Sequence, residues 1–154
     1  MLIEFYQLSL LSADHQRLIV LLNTLDQHYI PPISLSVNIS EYATKILTSG
    51  YVTIVIKDEK DIGLIAMYRN IDNHVAFITS FGILPQYHAS GIASKMMREV
   101  ERVCIKTKMS KIRLEVTPAN LKAISFYTRN GFEKESEAID EQQPIYMVRQ
   151  IINN

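Results

Sequence analysis

Ile78-Thr79-Ser80-Phe81-Gly82-Ile83-Leu84-Pro85-Gln86-Tyr87-His88-Ala89-Ser90-Gly91-Ile92-Ala93 is the stretch that organises the chain. Its first half continues an apolar run and reads as a strand over Val75 to Leu84. Pro85 ends that strand, because proline brings no N–H to a sheet ladder. Small residues follow (Ala89, Ser90, Gly91 and Ala93), and then a long amphipathic pattern begins. Strand, small-residue turn and helix together are the layout of an anion cradle. The first N–H groups of a helix lack internal partners, the helix dipole makes that end positive, and small side chains let an anion come close. A tight turn that needs small residues only for packing uses the same letters, so the segment alone leaves both readings open. The chain contains neither GxxxxGK followed by Ser or Thr nor GxGxxG, which excludes a P-loop and a dinucleotide fingerprint.

Outward from this stretch, 154 residues suit a single domain over 1–154 with a sizeable core. Lys plus Arg and Asp plus Glu number 16 each, so there is no basic excess to bind nucleic acid. The one cysteine, Cys104, permits no internal disulfide. It falls on the apolar face of an expected helix and reads as a small buried hydrophobe. No apolar run has the length of a membrane span. The segment Met1 to Gln7 carries an acid and no basic residue ahead of its apolar part, unlike a signal peptide. A cytoplasmic protein without a membrane partner is expected. His15, His28, His74 and His88 show no ligand spacing, so no metal site is expected.

Along the chain, Ile3 to Leu8 reads as a first strand. Leu18, Leu21, Leu22 and Leu25 recur at helical spacing within Ala13 to Tyr29, with Ser12 as N-cap and Pro31-Pro32 as the stop. Ser40 is the expected cap of a second helix, Glu41 to Thr48, which Gly50 ends. Tyr51 to Lys57, Ile62 to Ile71 and Val75 to Leu84 read as an antiparallel meander, the last strand apolar enough for burial on both faces. Ile92, Met96, Met97, Val100, Val103 and Cys104 make the buried stripe of a helix from about Gly91 to Met109. Lys111 to Thr117 alternates strictly, with Ile112, Leu114 and Val116 on one face and Arg113, Glu115 and Thr117 on the other. Asn120 caps a helix from Leu121 to Arg129. Gly131 takes the left-handed stop, and Phe132 is its apolar partner. Strands near Phe132 to Ile139 and Ile145 to Ile152 form a final hairpin around the polar Asp140-Glu141-Gln142-Gln143. The fold class is α/β with a mixed sheet: an antiparallel meander, then a parallel βαβ unit, then a C-terminal hairpin.

With these residues in order, the chain resembles the GNAT superfamily of acyl-CoA N-acyltransferases. His88-Ala89-Ser90-Gly91-Ile92-Ala93 stands against that family's phosphate-binding pattern Arg/Gln-x-x-Gly-x-Gly/Ala. Asn120 to Phe132 meets every position of Asn-x-x-Ala-x-x-Leu/Phe-Tyr-x-x-x-Gly-Phe. One departure is His88, which stands where Arg or Gln is usual and removes a charge-assisted contact. The resemblance implies a GNAT-like fold and acetyl-CoA as acyl donor. It implies that the pantetheine arm bonds to backbone near Phe81 and Ile83, with Gly82 suited to a bulge. The pyrophosphate would meet the N–H groups of His88, Ala89, Ser90, Gly91, Ile92 and Ala93, with Ser94 following. Asn120 would orient the pantetheine beside Ala123. Lys106, Lys108 and Lys111 border the 3′-phosphate or form a solvated face.

Acyl transfer to an amine needs a neutral amine, a polarised thioester carbonyl and a protonated leaving thiolate. A backbone N–H near Ile83 suits the second need. Tyr127 matches the family's tyrosine that acts as general acid, with helix packing as its competing role. Glu115 resembles the glutamate of a Leu-Glu-Val strand that serves as base in the ribosomal-protein branch, and an ion pair with Arg113 is the alternative. The expected acceptor is a primary amine of a small molecule, an amino sugar or a peptide, a small metabolite ahead of a protein. Asp26, His28 and Tyr29 lie in the helical region that sets substrate choice. A non-catalytic acyl-CoA-binding or regulatory module is the other function class. Pairing of the final hairpin edge would give a homodimer.

Overall fold

The computed structural model describes residues 2–140 and 142–151. In chain order its elements are β1 (Glu4–Gln7), α1 (Ser12–Asp26), α2 (Ile39–Ser49), β2 (Tyr51–Lys57), β3 (Lys60–Asn70) and β4 (Val75–Ile83). They continue with α3 (Ile92–Lys106), β5 (Lys111–Val116), α4 (Leu121–Arg129), β6 (Glu133–Lys134) and β7 (Ile145–Gln150). The strands form a mixed seven-stranded sheet in the order β1-β2-β3-β4-β5-β7-β6, the α/β class that the sequence indicates. The chain divides into two compact units. One holds the residues up to Tyr68 with Ser80–Met96, the other Arg69–Thr79 with the residues from Met97 onward.

In the first unit, β1 pairs antiparallel with β2, and β2 with β3. The hairpin between β2 and β3 turns on Asp58 and Glu59, both at positive φ, which is the primed geometry that matches strand twist. The helical stripe of α1 is buried as its spacing predicts. Leu18, Leu21, Leu22 and Leu25 join Ala43, Ile46 and Leu47 of α2 and Val52, Ile54 and Leu64 of the strands in one core. Each such leucine stabilises the fold by about 1.5–3 kcal/mol. Arg17 grips Asp61 through two bonds of 2.7 and 2.8 Å at the edge of that core. Both groups are partly exposed, which limits the pair to about 1 kcal/mol.

The caps differ from expectation. Asn38, not Ser40, caps α2, its Oδ1 accepting from Glu41 N at 3.0 Å. Ser12 is already helical, and the buried Asp14 reaches back instead to accept from the N–H and hydroxyl of Ser9. Gly50 does end α2 as expected, as its C-cap with extended backbone. Glycine is needed there for room, because a Cβ would lie 2.7 Å from Ile46 O and 3.0 Å from Met67 O.

In the second unit, β4 runs parallel to β5 from Val75↔Lys111 to Ile78↔Leu114, and β5 pairs antiparallel with β7 along its whole length. β4 is not buried on both faces: Val75, Phe77 and Thr79 are half-exposed while Ala76 and Ile78 are buried. Cys104 is fully buried, and burial pushes its thiol up to about 11, with Arg69 and Arg149 pulling weakly the other way. The last hairpin is shorter than its pattern suggests. β6 is two exposed charged residues, and Ile139 is 87% exposed, outside any strand. Glu141 and Ile152, which the expected connection and strand include, lie outside the described residues.

Asn38→Ala is expected to cost about 1 kcal/mol of unfolding free energy, the usual worth of a side-chain N-cap. Ser40→Ala is expected to cost no more than a few tenths of a kcal/mol. Urea unfolding of both variants checks the assignment.

Candidate active site

The residues expected to hold the cofactor fall into two sets, one in each unit. In the first unit, the end of β4, a short 3-10 turn over Pro85–Tyr87 and the start of α3 follow one another without a break. Leu84 N donates to Ile62 O of β3 at 2.8 Å. Peptide groups alternate in direction along a strand, so those of Ile83 and Phe81 point away from β3. Phe81 is half-buried and Ile83 buried.

The turn is a cradle of left-handed backbone. Ala89 has φ 61° and Gly91 φ 85°, while Cβ added to Gly91 would meet nothing within 4 Å. Ala89 holds this conformation at a cost of order 1 kcal/mol. The ladder of α3 opens with Lys95 N to Gly91 O at 3.3 Å. The N–H groups of Ala93 and Ser94 therefore precede the first helical bond, as an anion site at a helix start requires. One expectation fails. The N–H of His88 donates to Pro85 O at 3.0 Å, closing the 3-10 turn, so it is committed within the protein. The N–H of Ser90 makes a long bond of 3.4 Å to Tyr87 O, and the Ser90 hydroxyl donates to the same carbonyl. The N–H of Ile92 likewise makes only a long bond, 3.4 Å to the Ser90 hydroxyl, while those of Ala89, Gly91, Ala93 and Ser94 make none within the turn. Lys57 of β2 lies 5.3 Å from the Tyr87 ring and adds a cation beside the turn.

Gly82 makes room for the Tyr29 ring. A Cβ there would stand 2.6 Å from the Tyr29 hydroxyl and 2.7 Å from its ring, so glycine lets Tyr29 lie directly on β4. The Tyr29 hydroxyl is 2.8 Å from Oγ of Ser80, which is only 5% exposed. Asp26 accepts from both the N–H and the hydroxyl of Ser34, closing the loop that carries Tyr29. Those bonds hold the Asp26 carboxyl below the usual range. The Tyr29–Ser80 pair spans 51 residues and has no sequence signature. The one local trace is the unexplained glycine in an apolar strand.

In the second unit, Asn120 caps α4 and its Oδ1 accepts from Ala123 N at 3.2 Å. This cap leaves its Nδ2 donors and the second lone pair of Oδ1 unused. Gly131 is left-handed at φ 89°, and Phe132 donates its N–H to Tyr127 O at 3.0 Å, which is the stop that the sequence indicates. That stop packs the Tyr127 ring edge-on against Phe126 and Phe132, each 5.5 Å away. Burial pushes the Tyr127 phenol well above the usual tyrosine range. Glu115 is exposed on β5, opposite Tyr146 of β7. The ion pair with Arg113 is not formed. Arg113 bonds Glu135 at 2.8 and 3.1 Å and lies over the Tyr146 ring, and this bonding holds the Glu135 carboxyl low. Lys106 stands at the opposite end of α3 from the turn. Among the described residues no group of His, Cys, Asp and Glu is placed to hold a metal.

The sequence model of the Acetyltransferase (GNAT) family matches residues 22–132, most of the chain. The chain belongs to the GNAT acetyltransferase family. It is an acyl-CoA-dependent N-acetyltransferase with acetyl-CoA as its donor. The acetyltransferase is similar in fold to a putative GNAT acetyltransferase from Desulfovibrio desulfuricans, at 15% identity over 98% of this chain and 100% of that one, with a TM-score of 0.79. It is similar to the PaiA N-acetyltransferase of Thermoplasma acidophilum, solved with coenzyme A, at 18% identity over 97% and 99%, with a TM-score of 0.76. The ribosomal-protein-S18-alanine N-acetyltransferase of Escherichia coli matches at 16% identity over 96% and 94%, with a TM-score of 0.73. In the acetyltransferase, no described helix is long and apolar enough to cross a membrane.

Gly82→Ala drives a methyl into the Tyr29 ring and is expected to cost about 1–3 kcal/mol of stability. In a Tyr29→Ala background most of that cost is expected to vanish. A double-mutant cycle of unfolding free energies measures the coupling, and additive costs would mean that Tyr29 does not rest on Gly82.

Proposed function

We propose that the chain acetylates a primary amine of a small molecule, an amino sugar or a peptide, by direct attack of the amine on the thioester, with Tyr127 as general acid and Glu115 as base. Acetyl-CoA supplies the acyl group. The amine nitrogen bonds to the acyl carbon, the carbon–sulfur bond breaks, the surplus amine proton goes to Glu115 and the departing sulfur takes the Tyr127 proton. The observation that carries this reading is the half-buried phenol of Tyr127. Its aromatic surroundings keep it neutral, and only a neutral phenol has a proton to give. Glu115 suits the base because its strand neighbour Arg113 is bound by Glu135, which removes the competing ion pair.

Cofactor binding is assigned to the cradle of Ala89, Ser90, Gly91, Ile92, Ala93 and Ser94, to the outward backbone of Phe81 and Ile83, and to Asn120 and Ala123. Open space over Gly91 supports the fit of a pyrophosphate. Tyr29, fixed on Ser80, is the side chain we assign to the acceptor end of β4. A buried thiol as the only cysteine supports a cytoplasmic setting. We further propose that 1–154 works as a single domain.

Tyr127→Phe is expected to lower kcat by one or more orders of magnitude and to leave coenzyme A affinity within about twofold. In the wild-type enzyme no loss of activity traceable to Tyr127 is expected below about pH 10, the ordinary tyrosine value, since burial moves its ionisation upward. Glu115→Gln is expected to lower kcat by about tenfold or more and to leave coenzyme A affinity within about twofold. Turnover unchanged in Tyr127→Phe removes the acid, and turnover unchanged in Glu115→Gln removes the base. For the single domain, fluorescence and far-UV circular dichroism are expected to report one coincident urea transition. Two separated transitions would mean two domains.

A further inference from the structure

His88 stands where the family pattern has Arg or Gln, and its side chain is directed back along the chain. Its Nε2 lies 3.2 Å from the carbonyl oxygen of Ile83, the last residue of β4. A carbonyl can only accept, so Nε2 carries the hydrogen in this contact. The same peptide unit, Ile83–Leu84, is held at its other end, where Leu84 N–H donates to Ile62 O of β3 at 2.8 Å. In a trans peptide the N–H and C=O point in opposite directions. The unit is therefore gripped from two sides, by β3 through its N–H and by the phosphate turn through its C=O. Rotating it breaks one bond or the other. The backbone N–H of His88 meanwhile closes the turn onto Pro85 O, so one residue fixes the turn to itself and to the strand.

The strand end and the turn are also the two parts of the first unit assigned above to acetyl-CoA, one to the pantetheine and one to the pyrophosphate. We propose that His88 is a positioning residue for acetyl-CoA, its Nε2–H latching the Ile83 carbonyl so that the strand end and the phosphate turn are held in one geometry. The inference rests on the acetyl-CoA reading of these two parts. It gives the departure from the family pattern a physical sense. Arg, Gln and His differ in charge and length, yet each carries a side-chain N–H donor. What this turn needs from the position is the donor, and the positive charge is dispensable. The latch also fills the acceptor of Ile83 on the edge that points away from β3, so that this peptide does not present a bare carbonyl toward the thioester, whose developing negative charge needs donors.

Calorimetric titration with coenzyme A tests this in wild-type protein and in His88→Ala, His88→Leu and His88→Gln, each first shown to be folded by its melting curve. Ala and Leu, which lack a donor, are expected to bind about three- to tenfold more weakly, the worth of one hydrogen bond. Gln is expected to recover affinity to within about twofold of wild type. Nitrogen-15 correlation spectra of the histidine rings, recorded without coenzyme A, are expected to show His88 in the Nε2–H tautomer. Ala and Leu binding as tightly as wild type would overturn the proposal, as would Gln failing with them or an Nδ1–H tautomer at His88. Absence of coenzyme A binding by the wild-type protein would overturn the cofactor reading and the positioning role with it. The tautomer would then report separately on the His88–Ile83 bond.

Discussion

The last peptide of β4 is the constraint on which the rest of the site depends. Its N–H belongs to the sheet, through Ile62 O, and its C=O belongs to the turn, through His88. Pro85 follows at once and carries no N–H, so the ladder has no means of continuing and the chain must turn. Everything after that point, the 3-10 turn, the left-handed Ala89 and Gly91 and the start of α3, follows a peptide that is bonded at both ends. A cradle of backbone N–H groups has no side chains to correct its aim, so its geometry must come from the segment that leads into it.

The same strand carries a second demand on its other residues. Ser80 and Gly82 lie two apart and so share a face. One gives Tyr29 a hydroxyl partner and the other gives it room. Those contacts tie the loop after α1 to the strand, and the Asp26–Ser34 bonds keep that loop closed. In the second unit the equivalent precision comes from the end of α4. The left-handed Gly131 turns the chain so that Phe132 is buried to 2% exposure beneath the Tyr127 ring. The helix stop and the packing of the Tyr127 ring are thus the same local structure.

Much of this was legible from the letters. β2 and α4 have the bounds that their patterns indicate, because a dense β-branched run and an Asn cap with a Gly-Phe stop are local signals. Caps were harder to read: Asn38 and Ser40 are both good caps two residues apart, and only the register of α2 on its core selects between them. The final hairpin was over-read because Ile139 extended an apolar alternation that nothing in the structure covers. β4 looked doubly buried because Val75, Phe77 and Thr79 suit a strand whether or not their face is covered. The motif residues of the cradle were found, but the commitment of the His88 N–H to Pro85 and the contact of its ring with Ile83 were not. Neither leaves a trace in spacing. The Tyr29–Gly82 approach is long-range, and sequence shows only a glycine whose purpose is open to several readings.

Cys104 is the chain's one cysteine, and its thiol is buried and hard to ionise. Acetyl transfer releases coenzyme A, whose exposed thiol reacts with disulfide and maleimide reagents through its thiolate. A native enzyme whose own sulfur is silent toward such reagents leaves their signal to the product alone. The packing of α3 therefore makes this protein a quiet background for a continuous thiol-release assay, and a rising blank would report unfolding before any loss of turnover was visible.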